Sequence, residues 1–406
     1  MSASTSAQAA HASPYTPPAA GTAAGVARRI QSVDLLRGVI MVLMAIDHVR
    51  VYAGIPAGGP TAGVFFTRWV THFCAPGFVF FAGTAAFLHG RKLGDTGALS
   101  RYLATRGLML VALELTVIRF GWTFGVDYSG FLLAGVIWML GWCMVLLAAL
   151  VRLRPAAVGW LGVGIVFLQW IFALPPRLVP ESARPAFGRV WEFVYPAGLD
   201  AAGGMAVLYV LVPWIGVMAA GYGFGAIMTM DADRRSQMLR RLGVTMTGAF
   251  ILAATALALT QGGNGEGGGE ERPLLFRILD QQKYPASQLF LLMTLGPMIV
   301  LMPAAERARG WVADGMVTIG RVPLFYYLLH IPLIHVSALL VNMARTGEAH
   351  GEWYVYAPFA QVPAEGRWSL GLLYLVFAVN VALLYVACRW YAGVKARRPE
   401  SWLRYI

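Results

Sequence analysis

The sequence predicts an all-α integral membrane protein, a polytopic bundle of about ten (ten to eleven) transmembrane helices with both termini cytoplasmic. Three observations carry that prediction. Hydrophobic residues make up 58% of the 406 and charged residues only 13%, about half the charged share of a soluble domain. Apolar runs of near-spanning length recur along the whole chain, where a soluble domain buries one or two. The basic residues between those runs alternate in density, as a topology set by cytoplasmic Lys and Arg requires.

Taken in order, residues 1–27 are rich in Ala, Ser, Thr and Pro and read as a disordered tail. They lack an uninterrupted apolar core of the signal-peptide kind, so the first span is expected to act as an uncleaved signal. The membrane domain occupies 28–395, with spans expected at 35–53, 72–90, 107–124, 131–150, 156–174, 205–228, 243–260, 286–304, 319–342 and 369–390. The stretch 175–204 holds "FGRVWEFVYPAGL", which can form a partial interfacial helix, and 396–406 is a short cytoplasmic tail.

The basic side is marked by Arg28 and Arg29, then Arg91, Lys92, Arg101 and Arg106, then Arg152 and Arg154. It continues with Arg234, Arg235, Arg240 and Arg241, with Arg307 and Arg309, and with Lys395, Arg397 and Arg398. Arg177, Arg184 and Arg189 are the exception on the other side. The net charge of +12 reflects this bias and an attraction to membrane lipids of negative charge. It does not point to nucleic acid, because the basic residues are scattered through short loops. Cys74, Cys143 and Cys388 lie in or beside apolar runs and suggest neither a disulfide framework nor a metal centre. "GGNGEGGGEE" reads as flexible loop and "GYGFG" as helix-packing glycine, since no strand precedes it.

The first span, "LLRGVIMVLMAIDHVR", carries the chemistry of most interest. Ser32 can cap this helix, and Asp34 complements its positive end. Arg37 and His48 are eleven positions apart, about three turns, so they share one face at an axial separation of about 16 Å. Arg37 then lies near the cytoplasmic headgroups, and His48 lies beyond the bilayer centre. The run from Val39 to Ile46 is too short to span alone, which places Asp47 and His48 at membrane depth. Ionisable groups there face the bundle interior or a wet cavity. A histidine also has proton affinity suited to acid–base work. The bland alternative is a snorkelling Arg37 and a polar helix exit of Asp47, His48 and Arg50.

Other polar groups share that depth. Glu114 and Arg119 in "LELTVIRFGW" are five apart and point to different neighbours; interhelical pairing is the structural reading of Glu114. His72 opens the second span on the side of His48, and "FAGTAAF" offers small residues for close helix contact. The ninth span, "GRVPLFYYLLHIPLIH", contains Arg321, His330 about 14 Å further on, and His335 on a different face. Asp280, Lys283 and Tyr284 precede the eighth span at the outer mouth, where they can line an acceptor entrance or decorate the surface.

These segments, with "RIQSVDLLRGVIMVLMAIDHVR" and "YPASQLFLLMTLGP", resemble bacterial relatives of heparan-alpha-glucosaminide N-acetyltransferase, within a wider superfamily of transmembrane acyltransferases. The resemblance covers about residues 28–395. The superfamily's arginine, ten residues, then histidine is matched by Arg37 and His48. It implies a membrane acyltransferase in a bacterial cytoplasmic (inner) membrane, using acetyl-CoA or another acyl-CoA from the cytoplasm, with no metal. The acceptor it implies is an amino sugar, another carbohydrate or a different small molecule at or across the membrane. A homodimer fits by analogy. The chain departs from the lysosomal enzyme in having no histidine between His48 and His72, so glucosaminide specificity is not carried over.

The resemblance implies that Arg37, with Arg321, meets the CoA phosphates and that His48 acts as base or transient acyl carrier. Asp47 or Glu114 then orients the imidazole, and Arg119 or His330 polarises the thioester. His72, Asp280, Lys283, Tyr284 and His335 are candidates for the acceptor side. The competing reading is a proton-coupled small-molecule transporter, in which buried Glu, His and Arg are equally natural.

Overall fold

A computed structural model describes residues 31–58, 61–196, 205–260 and 273–397. The expected N-terminal tail, Arg28, Arg29, Arg398, the glycine-rich loop and the end of the C-terminal tail lie outside the described residues.

Helix α1 (Gln31–Tyr52) is followed by α2 (Ala62–Trp69), which runs through a 3-10 turn into α3 (Cys74–Leu93). α4 (Thr96–Leu113) passes through a π-helical segment, Glu114–Ile118, into α5 (Arg119–Thr123). Strand β1 (Leu132–Ala134) leads into α6 (Val136–Leu150), and α7 (Pro155–Phe167) precedes the short helices α8 (Pro175–Leu178) and α9 (Arg184–Trp191). Strand β2 (Met205–Val207) leads towards α10 (Trp214–Phe224), followed by α11 (Ala232–Thr260) and α12 (Leu274–Leu279). The chain continues with α13 (Gln288–Arg307), α14 (Trp311–Gly320), α15 (Pro323–Thr346) and α16 (Leu370–Arg397).

All ten apolar runs contain helix. Among the described residues, five helical rods are long and apolar enough to cross a membrane unaided: Ala62–Leu93, α11, α13, α15 and α16. A sixth arises if α7 and Gln169–Leu178, bent by 59°, count as one broken span. The remaining runs are short, as in α6 and α10, or interrupted by charge, as in α1 and α4. Strands β1 and β2, unexpected from the apolar runs, pair in parallel with Leu132 opposite Met205 and join the approaches to α6 and α10.

α1 packs against α3, α13, α14, α15 and α16. With 22 residues it is about 33 Å long, close to the thickness of a bilayer's hydrocarbon core. Its polar groups are met along that length. Ser32, read from sequence as a cap, lies inside the helix and donates to Glu306 at 3.3 Å. Glu306 also pairs with Arg235 of α11 at 3.0 Å, so the first turn of α1 is tied to the basic ends of α11 and α13.

Two close approaches set the bundle's spacing. A β-carbon on Gly38 would lie 1.8 Å from the Met316 carbonyl oxygen, and one on Gly320 would lie 1.8 Å from that of Asp34. The backbones of α1 and α14 therefore touch. In "FAGTAAF", Gly83 meets the Met218 carbonyl of α10 in the same way, and Thr84 donates to the Gly221 carbonyl at 3.1 Å.

Neither backbone at the α1–α14 crossing can retreat without moving a whole helix. Gly38→Val is therefore expected to destabilise the fold by on the order of 1–3 kcal/mol. Thermal unfolding in detergent would show a lowered midpoint, and an unchanged midpoint would disprove the contact.

Candidate active site

The C-terminal third of α1 brings His48 against α15. His48 Nδ1 lies 2.6 Å from His330 Nε2, with the two rings stacked at 4.8 Å and inclined by 22°. The other nitrogen of His330, Nδ1, faces the backbone carbonyls of Tyr327 at 2.6 Å and Tyr326 at 3.2 Å. A carbonyl oxygen can only accept, so His330 Nδ1 carries a proton. With both rings neutral, His330 Nε2 then holds a lone pair and His48 Nδ1 donates to it. The lone pair of His48 is thereby left on Nε2, which has no hydrogen-bond partner among the described residues. His330 is fully buried and His48 is half-buried.

An aromatic cluster fixes the other side of the His48 ring. Trp122 meets it edge-on at 4.8 Å, and Tyr327 lies at 6.4 Å. Trp122 is held in turn by the Tyr52 hydroxyl, which donates to its carbonyl at 2.6 Å. Tyr354 donates to the Tyr52 carbonyl at 3.1 Å and accepts from Asn342 at 3.0 Å. His335 belongs to this cluster and not to the histidine pair: it stacks on Phe124 at 4.0 Å and donates to the Gly121 carbonyl at 3.3 Å. α15 thus turns His330 to α1 and His335 to α5, on different faces as the spacing predicts.

Asp47 does not bond to His48. It accepts from Arg50 Nε at 2.8 Å, while Arg50 also donates to the Ile55 carbonyl at 2.6 Å and so fixes the turn after α1. Glu114 is engaged elsewhere through one oxygen. Its Oε2 accepts from the amides of Ile137 at 3.0 Å and Trp138 at 3.2 Å, which are unsatisfied donors at the start of α6. The carboxylate therefore caps α6 from another helix, at the positive end of its dipole. Arg119 turns the other way. It donates to the carbonyls of Gly125, Asp127 and Phe131 and lies over the Tyr128 ring at 4.5 Å, organising the loop before β1.

At the opposite end of α1, Arg37 donates to the Phe81 carbonyl of α3 at 2.6 Å. Arg321 is exposed and directly follows Gly320, which packs on Asp34 and Gly38. The two arginines therefore flank the same helix crossing.

The remaining candidates converge on a cavity of about 360 Å³, lined by His72, Asp280, Lys283 and Tyr284. Arg68 and Trp69 line it as well. The sequence reading missed both, because in α2 they pass for the polar and aromatic edge of a span; a cation inside the run "VFFTRWV" was the available signal. His72 donates through Nδ1 to the carbonyls of Arg68 and Trp69, both at 3.1 Å. Lys283, in the connection before α13, acts electrostatically on both Asp47 and His48.

The family described as heparan-alpha-glucosaminide N-acetyltransferase, catalytic, matches residues 29–259, more than half of the chain. The chain belongs to that family. It is accordingly an integral membrane transferase of the acetyltransferase kind. A comparison with curated proteins gives no match. The matched segment holds Arg37, Asp47, His48, His72, Glu114 and Arg119, whereas His330, Lys283 and Tyr284 lie beyond it.

The capping geometry of Glu114 separates charge from structure. Glu114→Ala removes two charge-assisted bonds and is expected to lower stability by about 2 kcal/mol. Glu114→Gln keeps an acceptor oxygen and should retain most transferase activity. Loss of activity in Glu114→Gln with an unchanged unfolding midpoint would show that the carboxylate has a chemical role.

Proposed function

We propose that the chain transfers an acyl group, acetyl in the first instance, from acyl-CoA to an amine or hydroxyl of a carbohydrate or other small acceptor, with His48 as general base. The observation that carries this reading is the 2.6 Å contact between His48 and His330. It leaves a lone pair on His48 Nε2 that is free to accept a proton.

The sequence of events conserves atoms and charge. His48 Nε2 takes a proton from the acceptor nucleophile as that atom attacks the thioester carbonyl. The carbon–sulfur bond breaks, a carbon–nitrogen or carbon–oxygen bond forms, and the departing CoA sulfur receives the proton. During transfer His48 becomes an imidazolium. Its Nδ1–H points at His330 Nε2, and His330 passes the polarisation to the carbonyls of Tyr326 and Tyr327. His330 is thus a positioning residue that sets the tautomer of His48 and stabilises its charged form, much as an orienting group does for the histidine of a catalytic triad. The donor is expected from the basic end of α1, where Arg37 and Arg321 can meet phosphate. The acceptor is expected in the cavity lined by His72, Asp280, Lys283 and Tyr284.

The test is incubation of the purified protein with radiolabelled acetyl-CoA and candidate amino sugars. His48→Ala should lower label transfer by about 10²–10⁴-fold while the protein remains folded. His330→Ala should also lower the rate, and His330→Gln, whose amide oxygen can accept from His48 Nδ1, should recover part of it. Full activity in His48→Ala would refute the assignment, and failure of the wild type to bind any CoA thioester would refute the reaction class.

A further inference from the structure

The cavity before α13 has a charge pattern that its position alone does not require. Its lining includes two cations, Arg68 and Lys283, against one carboxylate, Asp280. Lys283 is only 9% exposed. Among the described residues no carboxylate lies within ion-pair distance of either cation. Asp47 acts on Lys283 from further away and is itself taken by Arg50 at 2.8 Å. Arg68 and Lys283 also repel each other, so the folded chain holds two like charges around one space. A buried cation is costly unless it is paired or otherwise compensated.

A further lining group, Trp69, adds a donor to the two cations. The indole Nε1–H of Trp69 is buried and has no hydrogen-bond partner among the described residues. Lys283 lies 5.2 Å from the Tyr284 ring centroid and 5.9 Å from that of Tyr209; these faces partly offset its burial but do not neutralise it. Burial opposes the charge on Lys283, but the pull of Tyr284 and Asp47 outweighs it and raises its pKa, which keeps the side chain cationic at neutral pH. One buried donor without an acceptor, and two cations without an ion-pair partner among the described residues, converge on a space of about 360 Å³. That space exceeds a lone phosphate and matches the lower range of small-molecule sites, with Trp69 and Tyr284 offering ring faces.

From this we infer that the cavity binds an acceptor carrying an anionic group, a carboxylate or a phosphate on a sugar-sized body, with Lys283 and Arg68 pairing the anion and Trp69 donating to it. The inference rests on the acceptor reading of the cavity and adds a charge requirement to it. The anion would complete the ion pairs the fold leaves open and would offset the repulsion between the two cations. It would also hold the acceptor on the side from which Lys283 already acts on His48.

The experiment is isothermal titration of the full-length protein in detergent, without any CoA compound, using glucuronate, glucose 6-phosphate, glucose and inorganic phosphate as separate probes. Glucuronate or glucose 6-phosphate should bind, and glucose should bind at least about tenfold more weakly. Which of the two anionic sugars binds more tightly identifies the anion. Lys283→Met and Arg68→Gln should each weaken the preferred probe by about tenfold or more, and Lys283→Arg should retain most of the affinity. Unfolding midpoints of the variants check that the cavity is intact.

Equal binding of glucose and the anionic sugars, or unchanged affinity in both charge-removing variants, would overturn the inference. Inorganic phosphate binding as tightly as either sugar would overturn the sugar-sized part of it. Because no CoA compound is present, these outcomes are independent of label transfer. Transfer that depends on His48 without anion selectivity would leave the acyltransferase reading standing and remove only this inference.

Discussion

Two imidazole nitrogens 2.6 Å apart must have a proton between them, and the backbone decides which ring supplies it. The carbonyls of Tyr326 and Tyr327 lie one turn before His330 in α15, where a second lone pair on each can accept from its side chain. That places the His330 proton on Nδ1, the shared proton on His48 Nδ1, and the reactive lone pair on His48 Nε2. The direction of the chain carries the information; no charged partner is needed beside His48. An adjacent carboxylate, once buried, would itself have to be compensated.

The surrounding fold keeps this contact in register. α1 packs against α2, α3, α13, α14, α15 and α16, and its backbone meets that of α14 at Gly38 and Gly320, so it cannot rotate without breaking the crossing. The aromatic cluster of Tyr52, Trp122 and Tyr354 ties the end of α1 to α5 and to the turn after α15 by hydrogen bonds from hydroxyl to carbonyl. Asp47 and Arg50 then close the exit of α1. Asp47, Arg50 and His330 are each hydrogen-bonded, whereas His48 Nε2 has no hydrogen-bond partner among the described residues.

Much of this was legible in the sequence, and the limits have physical causes. The eleven-residue spacing of Arg37 and His48, the short run between them and the two histidines of α15 on different faces follow from helix geometry and from the cost of polar groups in lipid. The pairing of His48 with His330 does not, because it joins residues 282 positions apart through a packing that no local pattern encodes. Glu114 and Arg119 were visible as deep charges, but their partners are backbone amides and carbonyls, which have no side-chain signature. The cap of α6 and the loop before β1 therefore stayed hidden, as did β1 and β2, whose three-residue strands are too short to show alternation. Helix positions were legible in all ten apolar runs. The number of spans was not, since several helices are short, bent or charged and depend on their neighbours.

The central claim is that His330 acts through His48 and not beside it. A double-mutant cycle measures this directly. The rate of acetyl transfer is determined for the wild type, His48→Ala, His330→Ala and the double variant, all checked for folding. If His330 only sets and stabilises the state of His48, its loss has no further effect once His48 is gone, and the double variant reacts at the rate of His48→Ala. If the two losses multiply, His330 contributes independently to the reaction and the account of the pair is wrong.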